Sequence, residues 1–338
     1  LKKLKFVRAN KTKHGGAEVY LSRLSAALNE RKIDHELVHS SIVKFLPSWL
    51  RVILFNLQVC LNKKNFFYFS LERISCPDIY RAGDGVHKVF LEIEKKSMLN
   101  PLHFVYLYLE KRTFMNAKKI IANSQMIKNQ IIDTYGIEAS KIEVVYNGVP
   151  LVEKVEFSAL KEEFGLEDEK IILYVGSGFK RKGVNEALEL VSKLKNNFKF
   201  IVVGKEKKLK YYKEYAKELG IEDKVIFTGP RDDVDKFYSM SDLFLFPTRY
   251  EPFSNVVLEA MVYENVVITT KQNGASEILD ERFHMKSAND FSILTWIDEL
   301  LKDDELLNEI KFSNKEKVKE FSIENNVNQT LKVIEKLI

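Results

Sequence analysis

At 338 residues the chain is long enough for two domains. Its 45% hydrophobic and 30% charged residues are typical of a water-soluble globular protein, and no run of about 18 apolar residues could span a bilayer. The two cysteines, Cys60 and Cys76, exclude a disulfide framework and favour a reducing compartment. The first residues lead directly into a strand-like run, without the pattern of a signal peptide.

The net charge of +5 is unevenly distributed. Residues 1–150 carry 24 Lys and Arg against 13 Asp and Glu, a net +11, and the remainder carries 29 against 35, a net −6. A basic half could face nucleic acid, an anionic membrane or a phosphorylated substrate. Because no zinc-ligand spacing, RNA-binding signature or helix-turn-helix pattern is present, we expect no nucleic-acid partner.

Strand and helix patterns alternate through the first half. Leu4–Ala9 is predicted to form a strand, and the apolar spacing that follows predicts a helix introduced by Gly15 and Gly16. The glycine pair is either an ordinary turn or a place where a ligand approaches the backbone. Further strand patterns occur at HELVHS, NFFYFS, KIIANS and KIEVVYNGV.

Two segments of the first half have open interpretations. Phe45–Leu61 is apolar and aromatic, and it predicts either a core helix, which we favour, or an interfacial helix. Lys88–Lys119 interleaves aromatic and basic residues, which fits contact with lipid headgroups and equally fits a core helix with a solvated face.

The stretch SLERISCPDIYRAGDGVHKVF carries Arg73, Arg81, Asp84 and His87 around two glycines. A glycine-rich loop with an acid and a histidine is a candidate substrate loop. Taken singly, each of these residues is more simply explained as a turn residue or a solvated one.

The turn Asn147–Val149 and the polar stretch up to Ser158 form the best candidate for an interdomain linker. Strand patterns then resume at KIILYVGS, FKFIVVG, VIFTG, LFLFPT and VVITT, with helical segments between them. This alternation predicts an α/β protein with a parallel sheet in each half. The last segment, FSIENNVNQTLKVIEKLI, predicts an amphipathic helix.

Charged side chains follow the later strands, at the edge where parallel sheets bind ligands. Cations there, beside helix amino ends, could hold a diphosphate. The side chains placed on this rim are Lys180, Arg181, Lys182, Arg231 and Glu251.

Glu251–Met261, EPFSNVVLEAM, predicts a tight loop and a helix start after a buried strand. Ser254 and Asn255 are good N-cap residues. Glu251 and Glu259, about two turns apart, can accept hydrogen bonds from hydroxyls. Such a pair alone is more often a solvated helix face, but beside the cations it suits a ligand with both hydroxyls and phosphates.

Asp233 and Asp235 form the candidate metal motif of the sequence. Their context, DDVDKF, is better explained as a helix cap with acids in the first turn. We therefore expect no metal.

Together these motifs resemble the retaining glycosyltransferases of family 4, in the family's order and over most of the chain. The matching residues are HGGAE, ANSQ, YNGV, VGSGFKRKG, GPRDDV and the Glu251-x7-Glu259 pair. The chain is most similar to lipopolysaccharide-core glucosyltransferases, through VGSGFKRKGV, DIYRAGD and FIVVG.

The resemblance implies the α/β GT-B fold, with a cleft between two facing Rossmann-like domains. Residues 1–150 would bind the acceptor and residues 151–320 the nucleotide sugar. Residues 321–338 would form a helix that packs back on the first domain.

The resemblance also implies individual roles. Arg181 and Lys182 would neutralise the donor diphosphate, Glu251 would accept hydrogen bonds from the sugar hydroxyls, and Glu259 from the ribose hydroxyls. Asp84 falls where some relatives have an acceptor-side acid, and we count it with the catalytic residues. The other donor-binding candidates are Gly15, Gly16, Arg231, Phe253, Ser254 and Asn255, and the acceptor-binding candidates are Arg81 and His87.

The expected activity is retaining, metal-independent transfer of a hexose from a UDP-sugar, glucose or galactose first, to a lipopolysaccharide-core or related glycan, or to a lipid-linked acceptor. The expected place is the cytoplasmic side, with peripheral contact to an anionic membrane. The alternatives are a sugar-nucleotide epimerase of similar architecture, a nucleotide-sugar-binding protein without turnover, and a peripheral membrane or scaffold protein.

Overall fold

A computed structural model describes residues 3–10 and 16–337. Within these residues the chain forms two α/β units, each built on a parallel sheet of six strands. Val149–Ser322 makes up the second unit, and the described residues up to Gly148 and from Ile323 onward make up the first. The predicted α/β class with two parallel sheets is confirmed.

The first unit has the strand order β2-β1-β3-β4-β5-β6. Its elements up to Gly148 are β1 (Lys3–Val7), α1 (Gly16–Glu30), β2 (His35–Val38), α2 (Ser48–Leu61), β3 (Phe66–Ser70), β4 (Ile79–Ala82), α3 (His87–Ile93), α4 (Pro101–Asn116), β5 (Lys119–Ala122), α5 (Gln125–Tyr135) and β6 (Ile142–Val144).

Both faces of β3 are covered, which explains its continuous apolar run. Phe67 and Phe69 pack in the core that contains Leu24 of α1. Tyr68, which points to the opposite face, packs in the core that contains Phe55 of α2. A strand covered on both faces needs apolar residues at every position rather than at alternate ones.

The second unit has the strand order β12-β11-β10-β7-β8-β9. Its elements are α6 (Ser158–Phe164), β7 (Lys170–Val175), α7 (Val184–Val191), β8 (Phe198–Val203), α8 (Leu209–Glu218), β9 (Val225–Gly229), α9 (Val234–Met240), β10 (Leu243–Phe246), α10 (Asn255–Val262), β11 (Val266–Thr270), β12 (His284–Met285), α11 (Leu294–Lys302) and α12 (Asp304–Val318). All four residues of β10 are fully buried, as its unbroken apolar pattern predicts.

The helix α13 (Ile323–Glu335) belongs to the first unit. Val327 and Leu331 join the core that α1 covers. The hydroxyls of Tyr20 and Thr330 lie 3.1 Å apart in a hydrogen bond between α1 and α13. The predicted amphipathic helix is therefore confirmed.

Two predictions about the first unit are wrong. Ile79–Ala82, which lies in the stretch predicted to be a loop, forms β4, and all four residues are buried. The helix α2 is not a core helix, because Phe55 and Val59 are its buried residues while Leu57 is 48% and Leu61 76% exposed. One face covers the sheet and the other remains open.

The cysteines also differ from the expectation of a chain without disulfides. Cys60, in the last turn of α2, and Cys76, ahead of β4, form a disulfide across Cα atoms 5.8 Å apart. Both segments flank β3, so the fold brings together two cysteines whose spacing of 16 positions carries no sequence signal of pairing.

Candidate active site

The loop between β7 and α7 contains a partly buried lysine, Lys182. The Nζ atom of Lys182 lies 5.4 Å from the centroid of the Phe246 ring. Burial lowers the pKa of Lys182 from its ordinary value, and the Glu251 carboxylate opposes this shift. Within the described residues the Lys182 ammonium forms no salt bridge, because Glu251 pairs with Arg181 instead. An anionic ligand would gain more from this desolvated cation than from a solvated one.

Glycines keep open the space around Lys182. A Cβ atom at Gly176 would lie 3.3 Å from Nζ of Lys182 and 3.3 Å from the hydroxyl of Tyr174. That hydroxyl is buried and has no hydrogen-bond partner within the described part of the chain. At Gly183, with φ of +79°, a Cβ atom would lie 1.9 Å from the carbonyl oxygen of Pro247. Glycine there lets the loop lie directly against the end of β10.

Arg181 and Glu251, which the sequence places on one rim, form an ion pair. The Nη1 atom of Arg181 donates to Oε2 of Glu251 at 2.6 Å and to the carbonyl oxygen of Tyr250 at 2.8 Å. The backbone of Glu251 is fixed in turn, since its N–H donates to Gln272 and its carbonyl accepts from Gly274. The pair therefore holds a cation and a carboxylate at the amino side of α10.

The predicted helix start at α10 is confirmed, but its capping differs. Asn255 begins the helix and Ser254 is the N-cap residue, yet the Ser254 side chain makes no capping hydrogen bond. The turn closes instead through the N–H of Val257, which donates to the Ser254 carbonyl at 3.2 Å. Ser254 and Phe253 are 4% and 6% exposed, so both belong to the packed base of the loop.

Glu259, on α10, is held by an aromatic hydroxyl. Tyr238 donates to Oε2 of Glu259 at 3.1 Å. Burial, followed by the charge of Glu259, raises the pKa of Tyr238 well above its ordinary value, so the hydroxyl remains a donor. The fold thus fixes one carboxylate oxygen of Glu259.

Arg231 lies after β9, and carboxylates surround it. It pairs with Glu163 at 2.8 Å and with Asp233 at 2.9 Å. The hydrogen bonds that Arg231 donates to Asp233 raise the pKa of Arg231, and those to Glu163 add to this. Asp233 is the N-cap residue of α9, as predicted. Among the described side chains no group of three His, Cys, Asp or Glu is arranged to hold a metal ion.

The candidate substrate loop of the first unit follows β4. The Asp84 side chain is 67% exposed and its carboxylate lies 4.0 Å from Nη1 of Arg73. His87 is the first residue of α3, and its Nε2 lies 3.1 Å from Nδ1 of His103. Burial lowers the pKa of His87 to about 4, so its ring is neutral at neutral pH.

Arg81 lies in β4 and not in that loop, which corrects the prediction. It is 7% exposed, and its guanidinium donates to Asn147 at 2.6 Å and stacks over the Tyr20 ring at 3.8 Å. The contacts of the Arg81 guanidinium thus lie within the first unit. We therefore leave Arg81 out of the proposed acceptor site. Gly15 lies outside the described residues, and Gly16 is the first residue of α1.

Sequence reasoning missed the ion pairs at the carboxyl edge of the first sheet. Arg8, directly after β1, pairs with Glu18 and Glu72, each at 2.9 Å. Arg73, after β3, pairs with the fully buried Glu110 of α4 at 3.0 Å. Arg8 lies near the end of the strand predicted over Leu4–Ala9 and Arg73 lies in the candidate substrate loop, whereas their partners Glu72 and Glu110 are 64 and 37 positions away.

Models of two protein families match the chain. The model of glycosyl transferases group 1 matches residues 156–317, and the model of glycosyltransferase family 4 matches residues 81–153. The lipopolysaccharide glucosyltransferase WaaG of Escherichia coli strain K12 is 29% identical over 209 residues, which are 57% of this chain and 55% of WaaG. The chain spans between 45% and 60% of the length of four curated relatives that it matches.

Solved structures share the fold over nearly the whole chain. The crystal structure of WaaG, described as a glycosyltransferase of lipopolysaccharide biosynthesis, has a TM-score of 0.80 at 19% identity and covers 98% of this chain and 99% of WaaG. The structure of HepE from Anabaena with UDP and glucose has a TM-score of 0.76 at 18% identity and covers 100% of both chains. Because both family models match and the fold agrees throughout, the chain belongs to the family-4 glycosyltransferases of GT-B fold and is similar to those of the lipopolysaccharide core.

Proposed function

We propose that the protein transfers a hexose from a nucleotide sugar to a lipopolysaccharide-core or related glycan, or to a lipid-linked acceptor, with UDP-glucose as the first candidate donor. The observation that carries this proposal is Lys182, a partly buried cation without a salt bridge in the described residues, beside the unpartnered hydroxyl of Tyr174. Two similar proteins support this choice of donor and acceptor. WaaG is a lipopolysaccharide glucosyltransferase, and a structure of HepE contains UDP-glucose.

The proposed chemistry assigns the cations to the leaving group. When the bond between the anomeric carbon and the diphosphate breaks, negative charge develops on phosphate oxygens, and Lys182 stabilises it electrostatically. Arg181 adds positive charge, and Glu251 accepts hydrogen bonds from sugar hydroxyls. The oxygen of the acceptor hydroxyl bonds to the anomeric carbon on the face that the leaving group vacates, so the configuration is retained. The proton of that hydroxyl passes to the leaving phosphate.

Replacement of Lys182 by Met tests this assignment. We expect the Lys182→Met enzyme to lose about 100-fold in kcat, the typical effect of removing one donor that stabilises developing charge. UDP-glucose should raise the melting temperature of the wild type by mass action and that of Lys182→Met much less.

Lys213→Met is the control, because Lys213 is exposed on α8, outside the proposed site, and the variant should behave like the wild type. Equal turnover of the Lys182→Met and wild-type enzymes would contradict the site. Product formation from the sugar nucleotide without any acceptor would favour the epimerase instead.

We also propose that the reaction needs no bound metal ion. The carboxylate of Asp233, in the candidate metal motif, is occupied by two hydrogen bonds from Arg231, at 2.9 and 3.0 Å. Turnover should therefore persist in excess EDTA, and its loss with rescue by Mg²⁺ or Mn²⁺ would contradict this part of the proposal.

A peripheral membrane contact is the further part of the proposal. The exposed face of α4 carries Phe104 at 59%, Tyr108 at 60% and Met115 at 53% exposure, with Lys111 between them. These residues fall on one side of the helix at spacings of three and four, opposite the buried Leu109 and Thr113. Apolar and cationic groups on one helix face suit the headgroup layer of an anionic bilayer.

Liposome sedimentation tests the membrane contact. We expect the wild type to bind vesicles with anionic lipid better than neutral ones, and Phe104→Ser with Tyr108→Ser to lose most of that binding. Lys182→Met should bind vesicles normally, because it does not alter α4. Unchanged binding of the Phe104 and Tyr108 variant would refute the contact. No helix in the described part of the chain has both the length and the apolar character needed to cross a membrane.

A further inference from the structure

A buried carboxylate in the first unit has no part in the chemistry proposed above. Glu110 of α4 is 0% exposed, and no other Asp or Glu of the described residues is as deeply buried. A buried charge is costly unless hydrogen bonds and an opposite charge compensate it. The groups that compensate Glu110 therefore indicate what it does.

Four donors surround the Glu110 carboxylate. Its Oε2 accepts from Nε of Arg73 at 3.0 Å and from the N–H of His87 at 2.6 Å. Its Oε1 accepts from the N–H of Lys88 at 3.3 Å and from the hydroxyl of Tyr135 at 2.7 Å. His87 and Lys88 are the first residues of α3, whose amides have no acceptor within their own helix. Glu110 supplies that acceptor from a different helix.

Arg73 also contacts the residues that precede His87. Its Nη2 donates to the carbonyl oxygen of Gly85 at 3.1 Å, and its Nη1 lies 4.0 Å from the Asp84 carboxylate. The guanidinium also lies 5.5 Å from the centroid of the Tyr106 ring. The Arg73–Glu110 pair therefore holds both the carbonyl and the amide groups of residues 85–88.

We propose that Glu110, acting with Arg73, is a positioning residue that fixes the segment Asp84–His87 for the glycan acceptor. Glu110 is too deeply buried to meet substrate, whereas Asp84 at the start of the segment is largely exposed. Holding a reacting partner in the correct position greatly increases the reaction rate. A residue that fixes the segment can therefore change the binding and reaction of the acceptor without touching it. This inference rests on the proposed function and on the acceptor-side roles predicted for Asp84 and His87.

The Glu110→Gln variant tests the inference with little change of shape. Glutamine replaces one carboxylate oxygen by an NH2 group, which donates. Each oxygen of Glu110 accepts from Arg73 or a backbone amide, and these groups cannot accept a hydrogen bond. Whichever way the glutamine amide is turned, its NH2 group must therefore displace at least one of these donors. We expect the KM for the acceptor to rise about tenfold, the scale of one lost charge-assisted hydrogen bond, while the KM for the donor stays unchanged. Arg73→Lys, which keeps the charge but cannot reach both Glu110 and Gly85, should act in the same direction.

Asp78→Asn is the matched control. Asp78 is also buried, at 3% exposure, and pairs with Lys63 and Lys118, but it precedes β4 whereas Asp84 follows that strand. We expect Asp78→Asn to lower stability without raising the KM for the acceptor. If Asp78→Asn raised the KM for the acceptor as much as Glu110→Gln does, a general loss of stability in the first unit would explain both effects. That result would overturn the inference.

Amide exchange of the whole protein separates this inference from the proposed function. His87 and Lys88 should lose protection in Glu110→Gln or Arg73→Lys and keep it in Asp78→Asn. Wild-type protection at His87 and Lys88 in both test variants would overturn the inference. If the wild type transfers sugar to no acceptor, the proposed function fails, and amide exchange still decides whether Glu110 fixes the segment.

Discussion

His87 shows how the surroundings of one side chain set its protonation. Its ring stacks beside Phe90 and meets the edge of Tyr106, and burial together with the nearby charge of Arg73 lowers its pKa to about 4. A neutral ring at neutral pH can share a hydrogen bond with His103. A charged ring would be repelled by Arg73.

The lowered pKa of His87 makes the stability of the first unit depend on pH. Between pH 6.5 and about 4 the unfolded state binds a proton that the folded state does not. The free energy of unfolding therefore carries no penalty from His87 above pH 6.5 and falls as the pH drops towards 4. Chemical denaturation across this range should show a shallower pH dependence for His87→Phe. A ring that titrates near its ordinary pKa by NMR would contradict the prediction.

Single residues also show where sequence reasoning succeeds. Arg181, Lys182 and Glu251 could be found because each lies in the loop that follows a strongly apolar strand, and parallel sheets gather such loops at one edge. Glu110 could not be found, because it lies in mid-helix and its partner Arg73 is 37 positions away. Arg81 was misplaced because a charged residue in a strand is normally a sign of exposure, and only the fold supplies Tyr20 and Asn147 to compensate its charge.

At the scale of elements, the disulfide joins the end of α2 to the segment before β4. A bridge that closes a loop of 16 residues restricts the unfolded chain and stabilises the fold by about 3 kcal/mol in the chain-entropy model. We expect Cys60→Ser to unfold at lower denaturant concentration than the oxidised wild type and to show no further effect of reductant. Equal midpoints for the oxidised wild type and the variant would contradict the bridge.

Gly183 decides how closely the loop between β7 and α7 approaches β10. Gly183→Ala should destabilise the second unit by several kcal/mol and displace Lys182, because the new methyl group would meet the Pro247 carbonyl oxygen at 1.9 Å. Gly220→Ala is the control, since Gly220 has a similar φ of +69° but open space around it, and only the backbone strain of about 1 kcal/mol remains. Denaturation midpoints and UDP-glucose binding of both variants measure the difference, and similar losses would contradict it.

Most elements could be predicted because buried parallel strands have continuous apolar runs and the helices between them have clear spacing. The strands β4 and β12 were missed for physical reasons. β4 is four residues long and includes Arg81, and β12 has two residues, so neither produces a recognisable pattern. For α2, hydrophobicity alone does not distinguish a core helix from one with an exposed apolar face.

At the scale of the whole molecule, α13 completes the unit that β1 begins. Leu331 is 1% exposed in the core shared with α1, whereas Lys332 is exposed. We expect Leu331→Ala to lower the free energy of unfolding of the first unit by about 2 to 5 kcal/mol and Lys332→Ala to leave it nearly unchanged. Hydrogen exchange should show the loss in β1 and β3 but not in β7 and β10. Equal loss in both sheets would contradict this division.

The chain enters and leaves the second unit at neighbouring points, since the N–H of Val149 donates to the carbonyl of Phe321 and Val149 pairs with Ser322. The middle of the chain is thus an insertion within the first unit. On the ribosome, residues 149–322 emerge complete before the final helix that the amino-terminal part needs, and domains generally fold as units during synthesis. The unit whose translation starts first is therefore the one that finishes folding last.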